Sequence, residues 1–218
     1  MEDAYEILKA YQREHRDTFC DNLTLRSHRG LSWLQRAEMC EDDPDAKFIF
    51  LWIAFNAIYA QDLDALKLRE AESFSRFIEK LLSLDNDNTL SNIVWQEFPR
   101  SIRVLLNNQY VYQPFWDYQN GNITEDEFKT RFAESKSKAA KALGNTQTQT
   151  VLQLVLQRLY TLRNQLIHGG ATWNSRVNRE QLRDANCFLH KLVPALLDIM
   201  MRNPKELWGT ANYPVVTS

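Results

Sequence analysis

The chain has 218 residues, of which 44% are hydrophobic and 25% charged, values that are ordinary for a globular protein with a sizeable core. Its six glycines and six prolines are too few for the frequent turns of a β-sandwich or β-barrel. The net charge of −2 excludes a protein that is basic throughout, as many nucleic-acid binders are.

Positive charge is nevertheless concentrated in one segment. Residues 158–183 contain five arginines and a single acid, a local net charge of +4, whereas the remainder of the chain has 21 basic and 27 acidic residues. A positive patch on an acidic body can receive a phosphate backbone, although the surfaces of helices commonly carry arginine as well. If the patch binds RNA, the residues expected to contact it are Arg158, Arg176, Arg179 and Arg183.

The cysteines and the apolar runs indicate the cellular compartment in which the protein is expected. Cys20, Cys40 and Cys187 are an odd number without CxxC spacing, which predicts reduced thiols rather than disulfides or a zinc site. The N-terminus is acidic and lacks an apolar core, so no signal peptide is predicted. The most apolar run, residues 48–60, is too short to span a bilayer. We therefore expect a cytoplasmic protein with no membrane contact, metal or cofactor.

Most of the N-terminal half has helical patterns. After two amphipathic helices, Pro44 is suited to the first turn of a third. That helix, residues 47 to about 61, is apolar on nearly every side and is predicted to be the central one. One or two short helices, broken near Pro99, are expected over residues 89–108.

The second half begins with an aromatic segment, residues 110–121, that is predicted to be irregular. Its aromatic side chains could stack on bases, but packing onto the core is the favoured interpretation. The spacing of Thr124 and Glu127 predicts a capping box, and a further capping signal opens a long helix over residues 149–168.

A last long helix is predicted to reach about residue 201, followed by an extended tail from about residue 208. The sequence contains no repeat, no low-complexity linker and no change in composition. Residues 1–218 are therefore predicted to form one all-α domain, a multi-helix up-down bundle.

The end of the helix over residues 149–168 carries an unusual combination of side chains. On a helical wheel its apolar stripe consists of Leu152, Val155, Leu156, Leu159, Leu162 and Leu166. Arg163 falls inside this stripe, and Asn164 and His168 lie one turn apart on its flank. A charge that faces a core is unfavourable unless it is paired. Either a partner acid lies beside Arg163, or the stripe is partly an interface that contains a cleft.

Together, Arg163, Asn164 and His168 indicate chemistry at a phosphate. Histidine exchanges protons near neutral pH, the forked charge of arginine suits phosphate oxygens, and the amide can orient either side chain. Because no HExxH, CxxC, P-loop or carboxylate cluster is present, the expected reaction needs no metal. RNA is the natural substrate, since its 2′-OH supplies an internal nucleophile. One histidine is insufficient as both acid and base, so two copies facing each other across a twofold axis would complete the site.

At these residues the chain resembles a known family. Arg163-Asn164-x-x-x-His168 is similar to the Arg-x(4–6)-His motif of the HEPN ribonuclease superfamily, and residues 50–59 resemble the central helix of its larger bacterial members. The resemblance implies an all-α HEPN-like core with extra helices, and a metal-independent endoribonuclease of the toxin or phage-defence type. It also implies a homodimer with a composite site, products with 2′,3′-cyclic phosphate ends, and an antitoxin or inhibitor protein as a further partner.

The resemblance assigns roles to the three residues: His168 would be the catalytic acid and base, Arg163 would hold the phosphate or activate the 2′-OH, and Asn164 would orient them. Gly170 departs from the family pattern. In members silenced by a partner nucleotidyltransferase, a tyrosine at that position receives the nucleotide, so this regulation is not expected here.

Two other interpretations remain open. In one, the chain is a non-catalytic HEPN-like module that binds RNA, a nucleotide or a protein, which its overall acidity favours slightly. In the other, the motif is structural: Arg163 pairs with an acid in the same subunit, and His168 caps the end of its helix, where a positive charge is favourable.

Overall fold

A computed structural model of the chain describes residues 4–59, 67–176 and 179–211, with residues 67–73 described by their backbone alone. Over these ranges the fold contains helices and no strands, so the predicted all-α, multi-helix class is confirmed. The α-helices are α1 (Ala4–His15), α2 (Asp21–Glu38), α3 (Pro44–Tyr59), α4 (Lys67–Leu84), α5 (Thr89–Asn92), α6 (Pro99–Asn107), α7 (Gln113–Gln119), α8 (Glu125–Gly144), α9 (Thr148–Ile167) and α10 (Arg179–Arg202).

The described residues form two compact units. The first comprises those of residues 1–89 and 186–218, and the second comprises residues 90–185. The expectation that residues 1–218 form one domain stays a prediction. Within the described ranges, no helix is both long and apolar enough to cross a membrane.

Helix α3 forms the centre of the first unit. It begins at Pro44, as predicted, and packs against α2. Its apolar side chains point in most directions and several are fully buried, among them Phe48, Leu51, Ala54 and Ile58. An all-round apolar helix of this kind is stable only when neighbouring elements cover it, which explains its position.

Within the first unit, a buried arginine of α2 connects the C-terminal segment to α3. Arg26 donates from one terminal nitrogen to the carbonyl of Ile58 at 2.6 Å and from the other to the carbonyl of Thr210 at 2.8 Å. Burial lowers the pKa of Arg26 to about 10, so the group remains charged at neutral pH. The predicted tail begins as expected without regular structure over residues 208–211, but Trp208 in it is buried. Residues 212–218 lie outside the described residues.

The second unit is built around α9, which packs against α6 and α8. Before α6, the short helix α5 passes into a π-helical turn, Ile93–Glu97, and the chain breaks before Pro99 as predicted. The expectation of an irregular segment over residues 110–121 was wrong for most of its length. A 3-10 turn, Gln109–Val111, is followed by helix α7, which has Pro114 in its first turn, where its fixed φ and missing N–H are tolerated.

The capping box predicted at the start of α8 is present. The backbone N–H of Thr124 donates to Oε2 of Glu127 at 2.8 Å, and the backbone N–H of Glu127 donates to Oγ1 of Thr124 at 3.2 Å. These bonds satisfy N–H groups that the helix itself leaves without partners. The bonds from the Thr124 backbone and hydroxyl also lower the pKa of Glu127.

Replacing Thr124 with alanine is therefore expected to destabilise the protein by about 1 kcal/mol at neutral pH. Because the pKa of Glu127 is lowered in the folded state, its contribution is present above the ordinary carboxyl pKa and is lost as the pH falls through the lowered pKa. Urea unfolding of wild type and Thr124→Ala at decreasing pH should show the difference in stability narrowing but not vanishing, because the bond from the Thr124 hydroxyl to the Glu127 carboxylate titrates and the bond from the Glu127 N–H to Oγ1 does not. A difference that stays constant with pH would contradict the role of Glu127.

Candidate functional site

The stripe predicted on α9 is the buried side of that helix. Leu152, Val155, Leu156, Leu159 and Leu162 are all buried, whereas Leu166, in the last turn, is half-buried. The last turn of α9 is therefore less enclosed than the rest of the helix. Arg163 lies in this part of the stripe and is itself half-buried.

The partner of Arg163 is its neighbour in the sequence. The Nη1 of Arg163 donates to Oδ1 of Asn164 at 2.9 Å, and among the described residues no carboxylate lies within ion-pair distance of the guanidinium. The Nε of Arg163 is buried and forms no hydrogen bond to any part of the chain that is described. The guanidinium thus carries a charge that no described carboxylate neutralises, and the amide of Asn164 holds its orientation.

His168 lies at the end of α9, one turn after Asn164. Its backbone N–H donates to the carbonyl of Asn164 at 3.0 Å, and its side chain is exposed. Gly169 follows with a φ of +72°, the left-handed conformation in which glycine commonly ends a helix. The predicted glycine stop is confirmed, and it leaves the imidazole of His168 accessible to a substrate.

Gly170 is sterically restricted. A Cβ at this position would lie 3.1 Å from the backbone oxygen of Gln165, which belongs to the last turn of α9. A side chain would require the backbone to move by a few tenths of an ångström. A residue with a side chain, a tyrosine included, is therefore crowded at this position.

A narrow strip runs along α9 beside the motif. It consists of the exposed Tyr160, Ile167 and His168 and the half-buried Asn164, which follow one another at helical spacing. Tyr160 is 51% exposed and Ile167 46% exposed, so two large apolar side chains flank the polar pair. The strip therefore combines apolar and polar side chains on one side of the helix.

Of the four arginines predicted to contact RNA, Arg158 does not lie at the surface. It is only 3% exposed, and one of its terminal nitrogens donates to Oγ of Ser135 at 2.9 Å. Its guanidinium carbon lies 4.1 Å from the ring centroid of Tyr112, and burial lowers its pKa to about 10. Arg158 is therefore a core cation of the second unit, not a surface charge.

The other three arginines occupy less enclosed positions, but they do not form a purely positive patch. Arg176 and Arg183 are exposed, and Arg179 is half-buried and donates from Nε to the carbonyl of Ser175 at 2.9 Å. The Nε of Arg183 lies 4.0 Å from the carboxylate of Asp184, one residue beyond the segment in which the charge was counted. The net charge of the surface near α10 is accordingly lower than the sequence count indicated.

A groove of about 860 Å³ opens on the second unit. We call it the aromatic groove, because Tyr110, Trp116 and Phe132 line it together with Arg103, Gln181 and the amide-rich run of residues 107–109. The carbonyl of Tyr110 accepts hydrogen bonds from Nε1 of Trp116 and from Nε2 of Gln165 on α9. Gln165 follows Asn164 directly, so the groove is joined to the helix turn that carries the motif.

The rest of the aromatic segment packs on α8, as the favoured interpretation expected. Tyr118 stacks on Phe128 with the ring centroids 5.8 Å apart, and Phe115 contacts the same ring edge-on at 5.6 Å. Neither Arg103 nor Gln165 was predicted as a site residue. The amide run of residues 107–109 lies beside the aromatic segment in the sequence, but this run alone does not indicate a groove, because the lining comes from several helices.

The described part of the chain contains no group of three or more His, Cys, Asp or Glu side chains that could hold a metal ion. Arg163 and Asn164 are in contact, as their predicted roles require, and His168 follows one turn later. No protein-family model, curated protein or solved structure matches this chain. Membership of the HEPN superfamily stays a prediction that rests on the motif.

Proposed function

We propose that the chain is a metal-independent endoribonuclease that acts as a homodimer. The observation that carries this proposal is the Arg163–Asn164 pair at the less enclosed end of α9, which has no carboxylate partner among the described residues. It is followed one turn later by the exposed imidazole of His168. A cation, an amide that orients it and a proton-transfer group are the components that phosphodiester cleavage in RNA requires.

In the proposed reaction the 2′ oxygen of the RNA attacks the adjacent phosphorus while one His168 accepts the 2′-OH proton. The bond from phosphorus to the 5′ oxygen breaks, and a second imidazolium donates a proton to that leaving oxygen. Arg163 stabilises the negative charge that develops on the non-bridging phosphate oxygens. The products are a 2′,3′-cyclic phosphate and a 5′-hydroxyl, and no other reactant is consumed.

The need for two proton-transfer groups supports a dimer. Each copy supplies a single His168 at the end of α9, so a second copy is the simplest source of the other imidazole. The exposed Tyr160 and Ile167 flank the motif on the same strip and offer an apolar contact for the partner. An isologous interface around this strip would bring both motifs to one groove.

The alternative function is a non-catalytic module that binds RNA, a nucleotide or a protein. A role as a toxin or phage-defence effector, held inactive by an inhibitor protein, belongs to the same proposal as the nuclease activity. Turnover separates the two functions, because the module would bind RNA without cutting it.

Incubation of the protein with mixed-sequence RNA in excess chelator is expected to yield fragments with 2′,3′-cyclic phosphate and 5′-hydroxyl ends, identified by mass spectrometry. RNA of the same sequence that is 2′-O-methylated throughout should remain intact, because its nucleophile is blocked. Fragments with 5′-phosphate ends, or cutting of the methylated RNA, would contradict the mechanism. Intact RNA under all conditions would favour the non-catalytic module.

A further inference from the structure

We propose that the aromatic groove of the second unit binds unpaired bases of the RNA beside the bond that is cut. The inference rests on the proposed function for the identity of the RNA as substrate. It goes beyond that function by assigning substrate binding to residues outside the motif, and by predicting a preference for single-stranded RNA.

The chemistry of the lining supports this occupant. Tyr110, Trp116 and Phe132 supply aromatic rings, and Tyr110 is 50% exposed. Bases of any sequence stack on such rings, since every base has a π-face. The amides of residues 107–109 and of Gln181 supply donors and acceptors for base edges.

The charge of the groove complements a nucleic acid. Arg103 lines it, no acid is among its lining residues, and no described carboxylate lies within ion-pair distance of Arg103. Arg103 also lines an adjoining hollow of about 350 Å³, to which Lys136 contributes a second cation and which likewise has no lining acid. Cations next to aromatic rings are the combination with which proteins hold unpaired strands, the cations contacting phosphates and the rings contacting bases.

The groove is held in place by hydrogen bonds that do not depend on a ligand. The backbone N–H of Tyr110 donates to Oδ1 of Asn108 at 2.8 Å, and Nε1 of Trp116 donates to the carbonyl of Tyr110 at 2.8 Å. The third bond, from Gln165, connects the same carbonyl to the turn of α9 that carries Asn164. The wall of the groove is therefore fixed to the helix turn that carries Asn164.

The test is fluorescence anisotropy with a labelled, 2′-O-methylated single strand, which the wild-type protein is expected to bind without cutting. Replacing Tyr110 with leucine should weaken binding about tenfold, whereas Tyr110→Phe, which keeps the ring, should bind within about twofold of wild type. Arg103→Ala should weaken binding severalfold and reduce the salt dependence by about one phosphate contact. Arg100→Ala is the matched control, because Arg100 is exposed on the same helix, α6, and lines neither hollow.

Binding of the single strand by Tyr110→Leu and Arg103→Ala with wild-type affinity would overturn the proposal, as would tighter binding of the corresponding duplex. A labelled proline-rich peptide serves as a second probe, since aromatic grooves also bind such peptides. Binding of the peptide but not of RNA would overturn the proposal in favour of a protein-docking surface. Circular dichroism and thermal unfolding of each variant identify any loss that arises from misfolding.

The binding test of the groove and the cleavage test of the nuclease can give opposite results, so each proposal can fail without the other. If wild-type protein binds the strand through Tyr110 and Arg103 but never cuts RNA, the groove stands and the nuclease fails. If wild-type protein cuts RNA and the groove variants have an unchanged KM, the nuclease stands and the groove fails.

Discussion

Replacement of His168 with alanine is expected to reduce RNA cleavage by about 10²- to 10⁴-fold, because the reaction loses the groups that transfer protons to and from the two oxygens. The imidazole is exposed at the end of α9, so the free energy of unfolding should change by less than about 1 kcal/mol. Single-turnover cleavage of a labelled RNA measures the first quantity, and urea unfolding measures the second.

Three further variants serve as controls for this loss of activity. His28→Ala, which removes an exposed histidine from α2 in the first unit, should cut RNA at the wild-type rate. Arg163→Lys keeps the positive charge but loses the forked donors, so it should retain more activity than Arg163→Ala and less than wild type. Equal activity of wild type, His168→Ala and Arg163→Ala would show that the observed cleavage comes from a contaminating nuclease.

A composite site makes a distinctive prediction for mixtures of wild type and His168→Ala. A mixed dimer contains only one His168 side chain, so it lacks one of the two proton-transfer groups that the proposed reaction needs. After subunit exchange, an excess of His168→Ala should therefore reduce the activity of each wild-type chain by at least about tenfold. If differently tagged subunits co-purify but activity stays proportional to the amount of wild-type chain, each site lies within a single chain and the dimeric mechanism is wrong.

The contrast between Arg158 and Arg163 shows which features of burial on α9 helical periodicity predicts and which it does not. The wheel places a single apolar stripe on α9, and Arg158, which lies outside that stripe, was predicted from the local charge to contact RNA. The helix packs against both α6 and α8, so burial extends beyond the stripe and encloses Arg158 on its flank. Whether a flanking residue is covered depends on the neighbours of the helix, which are distant in the sequence.

Local interactions were predictable, whereas those that depend on tertiary structure were not. The capping box of α8 and the glycine stop of α9 involve residues at most four apart, and both were correctly predicted. The aromatic groove draws its lining from residues between Arg103 and Gln181, on several helices, so no single pattern in the sequence indicates it. The bond between Arg163 and Asn164 agrees with the orienting role predicted for Asn164, although adjacent residues on a helix do not share a face and only the length of arginine permits the contact.

The buried Arg158 leads to the second large expected effect, on stability. Replacing it with alanine removes the donor to the carbonyl of Leu106 and to Oγ of Ser135, and it leaves a cavity beside the ring of Tyr112. The lost bonds and the cavity are offset in part because a cation no longer has to be buried. A loss of about 2–4 kcal/mol in the free energy of unfolding is the expected net result.

Arg158→Met distinguishes packing from charge, because methionine fills much of the same volume without a charge that must be desolvated. If desolvation of the guanidinium nearly balances its hydrogen bonds, urea unfolding should place this variant within about 1 kcal/mol of wild type. Arg163→Ala should also lie within about 1 kcal/mol, since Arg163 is only half-buried and bonds to its own neighbour. A loss for Arg158→Met as large as that for alanine would mean that the charge itself stabilises the second unit, through Tyr112 and the carbonyl of Leu106. The two arginines, five residues apart on α9, are thus expected to separate a role in folding from a role in cleavage.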